Sequence, residues 1–166
     1  MNGANEPTER QALAEDLRRL VTSRLLDPLS ILFESDIATD PMRRRVARDS
    51  EAWAALLLGP DRERAVHTAV RMIAVLYPGD APFDPPEHWW RTPLGRVVAR
   101  RLGHPAADRV PFAVAGAMLG ITRQGVHDLV KRQKLAQHPD GGVTTASIRA
   151  RLDTRAEASD DIRRSR

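Results

Sequence analysis

Apolar residues return at helical spacing over most of the first half of the chain. Leu13, Leu17, Leu20, Val21 and Leu25 recur every three or four residues behind Thr8 and Gln11, a pair that reads as a capping box. Asp27-Pro28 is expected to interrupt this first helix, because proline lacks an N–H and crowds the preceding turn, and a short apolar stretch follows at 29–33. Asp40-Pro41 reads as an N-cap with proline in the first helical position, opening a helix toward Leu58 that Gly59-Pro60 stops. Val66, Ala69, Val70, Ile73, Leu76 and Tyr77 carry the same period through a further helix. Four prolines then fall within residues 78–86, a density that no helix or central strand survives.

Beyond that break the pattern changes. Residues 87–90 read as a turn of helix, and Thr92-Pro93 starts a short basic helix that ends at Leu102-Gly103. The segment 112–131 is the informative one. Two short helices that meet at a steep angle need a small residue where they touch, which Gly116 supplies. They also need a turn residue that tolerates positive φ, and Gly120 sits four residues later. Ala115, Leu119, Ile121, Val126 and Leu129 occupy the positions that such a pair would bury.

Thr122 reads as the N-cap of the second helix, whose outer face carries Arg123, Gln124, His127, Asp128 and Lys131. Arginine can bond guanine bidentately, glutamine can bond adenine, and lysine neutralises phosphate. Polar side chains at the start of a helix are those that reach base edges in the major groove. Gly125 inside this helix costs about 1 kcal/mol against alanine. Close packing accounts for it somewhat better than a backbone brought near DNA. Residues 135–138 and 143–144 read as two short strands about a tight turn at 139–142, and Thr144 or Thr145 caps a closing helix that runs to about Arg155 with Ile148 and Leu152 inward.

This order of helix, turn, helix, small wing and helix, over residues 110–152, resembles the excisionase and MerR-type winged helix-turn-helix domain. The resemblance implies a recognition helix at 122–134, so that Arg132 and Lys134 join Thr122, Arg123, Gln124, His127, Asp128 and Lys131 as DNA-binding residues. It implies that the hairpin at 137–144 reaches the neighbouring groove or backbone. Wings of that family are commonly rich in arginine and lysine, whereas this one offers His138, Asp140 and Thr144. The family also often places glycine where this chain has Gln133.

Charge separates along the chain in the same sense. Residues 1–90 hold 11 arginines against 15 carboxylates, a balance of −4, and residues 91–155 hold 12 basic groups against 4 acidic, a balance of +8. The first half repels phosphate and the second attracts it. Arg96, Arg100, Arg101, Arg149 and Arg151 are further candidates for phosphate contacts, with a solvated helix face as the equal alternative. The cluster Arg43, Arg44, Arg45 and Arg48 stands out in the acidic half and reads as a solvated face paired with Asp49 and Glu51, with added DNA contacts as the alternative if that helix lies beside the duplex.

Composition excludes several classes. The absence of cysteine removes disulfides, thiolate metal sites and cysteine nucleophiles. No apolar run is long enough to span a membrane, and the polar start, residues 1–7, is unlike a secretory signal. His67, His88, His104, His127 and His138 show no ligand spacing, and Asp80, Asp84, Glu87 and His88 read as a solvated acidic loop, so no metal or cofactor is expected. No nucleophile–base constellation or phosphate cradle is present, and an enzyme is not expected. Trp89-Trp90 reads as an anchor between the two halves, or as the wall of a small-molecule or partner pocket.

The expected protein is mainly α: a helical domain at 1–77, a proline-rich linker at 78–86, a helix-turn-helix domain with a small β-wing at 87–155, and a flexible tail at 156–166. The expected function is sequence-specific binding of double-stranded DNA by a bacterial or mobile-element transcriptional regulator, cytoplasmic and nucleoid-associated when bound. A homodimer is expected, because one short recognition helix rarely suffices. The N-terminal domain is then the candidate for self-association, a protein partner or a small-molecule effector. An excisionase-like factor that bends DNA and an antitoxin-type interaction module that represses its own operon are the alternatives.

Overall fold

The computed structural model describes residues 8–164, with side chains described through residue 155; the first seven and the last two residues lie outside the described part. The chain is mainly helical, with one two-stranded sheet, and divides into two compact units, Met1–Pro78 and Gly79–Arg166.

In the first unit α1 (Glu9–Val21) is opened by the Thr8–Gln11 capping box, both halves of which are made. The helix is not interrupted at Asp27-Pro28. A widened π-type turn, Thr22–Leu26, precedes α2 (Asp27–Leu32), and the Asp27 N–H bonds to the Thr22 carbonyl five residues back. The extra residue in that turn displaces the carbonyls that the Pro28 ring would meet, so the chain continues helically past a residue expected to stop it.

Next, α3 (Asp40–Leu58) starts one residue earlier than the sequence suggests, with Thr39 as its N-cap and no side-chain capping bond. The Thr39 hydroxyl is engaged elsewhere, against Ser30 Oγ at 2.7 Å and the Asp36 carbonyl at 3.2 Å. The fourth helix, α4 (Arg62–Leu76), is capped by the Asp61 carboxylate, which accepts from the Arg64 N–H. Packing of α1 on α3 and of α3 on α4 buries Leu13, Leu17, Ala54, Leu57, Ala69 and Leu76.

In the second unit a 3-10 turn, Glu87–Arg91, leads into α5 (Pro93–Arg101). A two-residue strand β1 (Arg109–Val110) precedes α6 (Phe112–Leu119) and α7 (Arg123–Lys131). Strand β2 (Val143–Thr144) pairs antiparallel with β1, Val110 opposite Val143, and α8 (Thr145–Arg164) closes the unit.

Two expectations change here. The partner of β2 is a strand more than thirty residues upstream. The expected pairing with 135–138 is reduced to one bridge, Gln137 with Val143. Gly142 explains the closure onto β1, since at φ 83° a Cβ there would sit 2.5 Å from the Val110 carbonyl oxygen. Only glycine lets the strands meet. The closing helix also runs on through Arg164, past the expected stop near Arg155, because residues 155–164 contain neither glycine nor proline to end it.

The proline-rich stretch is partly built into the second unit. Phe83 packs edge-on against Trp89, Pro85 is buried, and Asp84 pairs with His104. Trp89 and Trp90 are likewise buried, Trp90 with its ring against that of His104.

Candidate functional site

The α6–α7 pair is held by three local devices. Gly120 ends α6 at φ 67°, the left-handed conformation that turns the chain. Gly116 lies where α6 meets the start of α7, and a Cβ there would stand 2.9 Å from the Ile121 carbonyl oxygen. The Thr122 hydroxyl accepts from the Gly125 N–H at 3.1 Å and caps α7. Val126 then points into the core, fully buried, and fixes the rotation of the helix.

That rotation places the candidate side chains. At about 100° per residue, Arg123, Gln124, His127, Asp128 and Lys131 fall within an arc of roughly 140° opposite the buried edge. All five are exposed, as are Thr122, Arg132 and Lys134. They are not equivalent. His127 is stacked on Phe112 of α6, rings 4.3 Å apart and 3° from parallel, so its ring is fixed in place. Gln124 Nε2 donates to Asp128 Oδ1 at 3.3 Å, so these two are preset against each other. Arg123, Lys131, Arg132 and Lys134 make no ion pair or side-chain hydrogen bond among the described residues.

Gly125 is not demanded by packing. A Cβ there would meet Thr122 Oγ1 at 3.4 Å and Ile121 Cδ1 at 3.5 Å, which is ordinary contact. The close-packing account of this glycine therefore fails.

The C-terminal end of α7 turns back through a pair of bonds, Gln133 N–H to the Val130 carbonyl and Lys134 N–H to the Leu129 carbonyl. Gln133 adopts φ 55° to make that turn. An open groove of about 1010 Å³ follows, between this turn, the hairpin and α8. Lys134, Arg151 and Arg155 line it and no carboxylate does among the described residues. The Arg151 Nε is shielded and has no hydrogen-bond partner. Arg155 reaches the Leu119 carbonyl at the end of α6.

The sequence reading missed Arg109. Its guanidinium donates to the Asp140 carbonyl at 2.7 Å and the Gly141 carbonyl at 3.2 Å, which pins the hairpin tip to β1. A lone arginine in the run Asp108-Arg109-Val110-Pro111 carries no sequence signal for this role. His104 was also missed. It is buried, its Nδ1 accepts from the Ala106 and Ala107 N–H groups, and its Nε2 faces Asp84 at 3.4 Å. Burial pushes its pKa below the usual imidazole value, partly opposed by Asp84.

No group of three or more His, Asp or Glu side chains that could hold a metal ion occurs among the described residues. No described helix is long and apolar enough to cross a membrane.

A family model described as the MftR C-terminal domain, of the TetR-type regulators, matches residues 88–152. The match covers less than half of the chain but takes in the whole of α5 through α7, the hairpin and the start of α8. It is to a TetR-type regulator domain, not to the excisionase or MerR-type domain that the order of elements resembles. No curated protein and no solved structure matches the chain.

Proposed function

We propose that this protein is a transcriptional regulator that binds duplex DNA through the outer face of α7. The carrying observation is that face itself: exposed Arg123, Gln124, His127, Asp128 and Lys131 on a short helix whose rotation is set by Gly116, Gly120, the Thr122 cap and buried Val126. Arg123, Gln124, His127 and Asp128 read base edges, Thr122 and Lys131 position the helix on phosphate, and Arg132 and Lys134 add to the phosphate attraction. The groove carrying Lys134, Arg151 and Arg155 extends the same positive surface toward α8. The protein acts in the cytoplasm as a homodimer, with no catalytic role and no cofactor.

The match at 88–152 supports a second reading, in which the same unit is a ligand-binding or dimerising domain of the TetR type. Affinity selection of the full chain against random duplex DNA at near-physiological salt separates the two. An enriched inverted repeat is the expected result, since two-fold operators mirror two-fold proteins. Recovery of no sequence, with only salt-sensitive binding, would transfer the unit to the second reading.

A further inference from the structure

Six of the nine large apolar side chains exposed among the described residues lie between positions 29 and 42, in the first unit. Ile37 is 86% exposed, Ile31 77%, Leu32 71% and Phe33 63%, and Leu29 and Met42 add to them. Helix α2 contributes no buried residue at all.

The segment is nonetheless firmly built, and from its polar residues. Ser30 and Thr39 face each other at 2.7 Å, and Arg43 donates to Ser30 Oγ at 3.2 Å. Arg43 also pairs with Asp27 at 2.8 Å and with Asp36 at 3.7 Å. The Ser35 N–H bonds to the Ser30 carbonyl, closing α2 with Glu34 at φ 50°. The Thr39 hydroxyl is buried and Ser30 and Arg43 are half-buried, while the large apolar side chains of the segment stay outside. Monomers seldom expose a contiguous apolar patch above about 300–600 Å².

We infer that this surface is the contact between two copies of the chain. The exposed fractions amount to nearly four whole large side chains, at most roughly 600–800 Å², and with its polar rim the surface reaches the ~800 Å² that each partner of a standard interface buries. The rim carries both signs, with exposed Asp36 and Asp40 beside Arg44 and Arg45. A two-fold axis sets such a surface against itself, carboxylates of one copy facing guanidinium groups of the other. The contact supplies the dimer that the DNA-binding reading requires and deepens that reading, but the surface argument stands without DNA.

Sedimentation equilibrium of the full chain tests it, over about 1–100 μM, on the wild type and on Ile31→Lys and Ile37→Lys. Both positions are exposed, so circular dichroism is expected to stay unchanged. The expected result is a dimer in the wild type and at least a tenfold weaker dimer in each variant. A wild type that stays monomeric across the range overturns the inference, as does a dimer that both variants leave intact. Binding of the Ile31→Lys protein to a half-site of the selected duplex, measured against an unrelated duplex, keeps the two proposals separable, because that preference persists if α7 reads DNA whatever the sedimentation result.

Discussion

The two units leave opposite things uncovered. In the first, arginines are largely matched to carboxylates: Arg10 with Glu51, Arg19 with Asp16, Arg43 with Asp27 and Asp36, Arg45 with Asp49, and Arg64 with Asp61. What remains exposed there is the apolar surface around α2. In the second unit the large apolar side chains are inside, and the cations of α7 and the turn after it have no partners among the described residues. Exposed ion pairs add at most about 1 kcal/mol each to stability, so their distribution says little about folding. It says more about what each unit can attract. A neutralised surface with an apolar patch suits another protein surface, and an uncompensated cationic face suits phosphate.

The sharpest way to break this contrast is to remove one side of it. Gly95 sits where the start of α5 crosses the 3-10 turn, and a Cβ there would stand 2.1 Å from the Trp89 carbonyl oxygen. Backbone on both sides leaves nothing flexible to yield. Gly95→Ala should destabilise the second unit by about 3 kcal/mol or more. The measurement is tryptophan fluorescence on urea titration in a Trp53→Phe background, which leaves Trp89 and Trp90 as reporters of the second unit, with far-ultraviolet dichroism following the helices of both units so that a second transition belongs to the first. Duplex binding should disappear with the second unit while the dimer survives. Loss of both together would mean that the units do not divide the work.

A gentler cut removes one side chain. Arg123→Ala should lower affinity for a selected duplex by about 1–3 kcal/mol and relax selectivity at one base pair, without moving the urea midpoint. Lys131→Ala should weaken all sequences alike and flatten the salt slope by about one. Unchanged affinity and selectivity in Arg123→Ala would mean that α7 is presented the other way round. Gly125→Ala separates stability from binding at the same helix. Because its Cβ fits, the fold should gain up to about 1 kcal/mol, while duplex affinity falls if DNA approaches that backbone.

The contrast can also be tuned by pH. Native His104 holds its proton less readily than a free imidazole, since burial disfavours the cation and Nδ1 is occupied as an acceptor for two backbone N–H groups. The unfolded chain therefore binds the extra proton first. His104 contributes fully to stability above its ordinary value of 6.5 and progressively less as pH falls below it. The urea midpoint of the second unit should drop between pH 8 and pH 5, and His104→Gln should reduce that dependence. Asp84→Asn should steepen it, because Asp84 favours the charged ring.

How far the sequence led depended on the range of each interaction. Helices α3 and α4 were legible from period and punctuation, and the Thr122 cap and the Gly120 turn from a few adjacent residues. What stayed hidden acts across space. Strand β1 is two residues long and gains meaning only by pairing with β2, and Arg109 reaches a hairpin more than thirty positions away. Gly95 carries no signal in the sequence, and only the fold brings the Trp89 carbonyl beneath it. Pro28 misled because a π-type turn, which leaves no sequence mark, absorbed it. The face of α7 could be listed from spacing alone, but the stacking of His127 on Phe112 and the contact between Gln124 and Asp128 needed the fold.

The smallest expected effect concerns the turns that close α2 and α7, which use the same device in both units. Each ends in a left-handed residue that is not glycine, Glu34 at φ 50° and Gln133 at φ 55°. A side chain in that conformation costs roughly 1–2 kcal/mol, against the 0.5–1 kcal/mol of extra unfolded-state freedom that glycine would bring. Gln133→Gly should therefore stabilise the second unit by about 0.5–1 kcal/mol, read as a higher urea midpoint. Glu34→Gly should do the same for the first. Their effects on function should differ. Gln133 adjoins Lys131, Arg132 and Lys134, so a glycine there should leave the dimer untouched and change duplex affinity only if the side chain meets DNA. Glu34 sits in the apolar corner, so a glycine there should alter dimerisation and leave the affinity of α7 for a half-site unchanged. Equal effects of both substitutions on both readouts would sink the division of labour between the two surfaces.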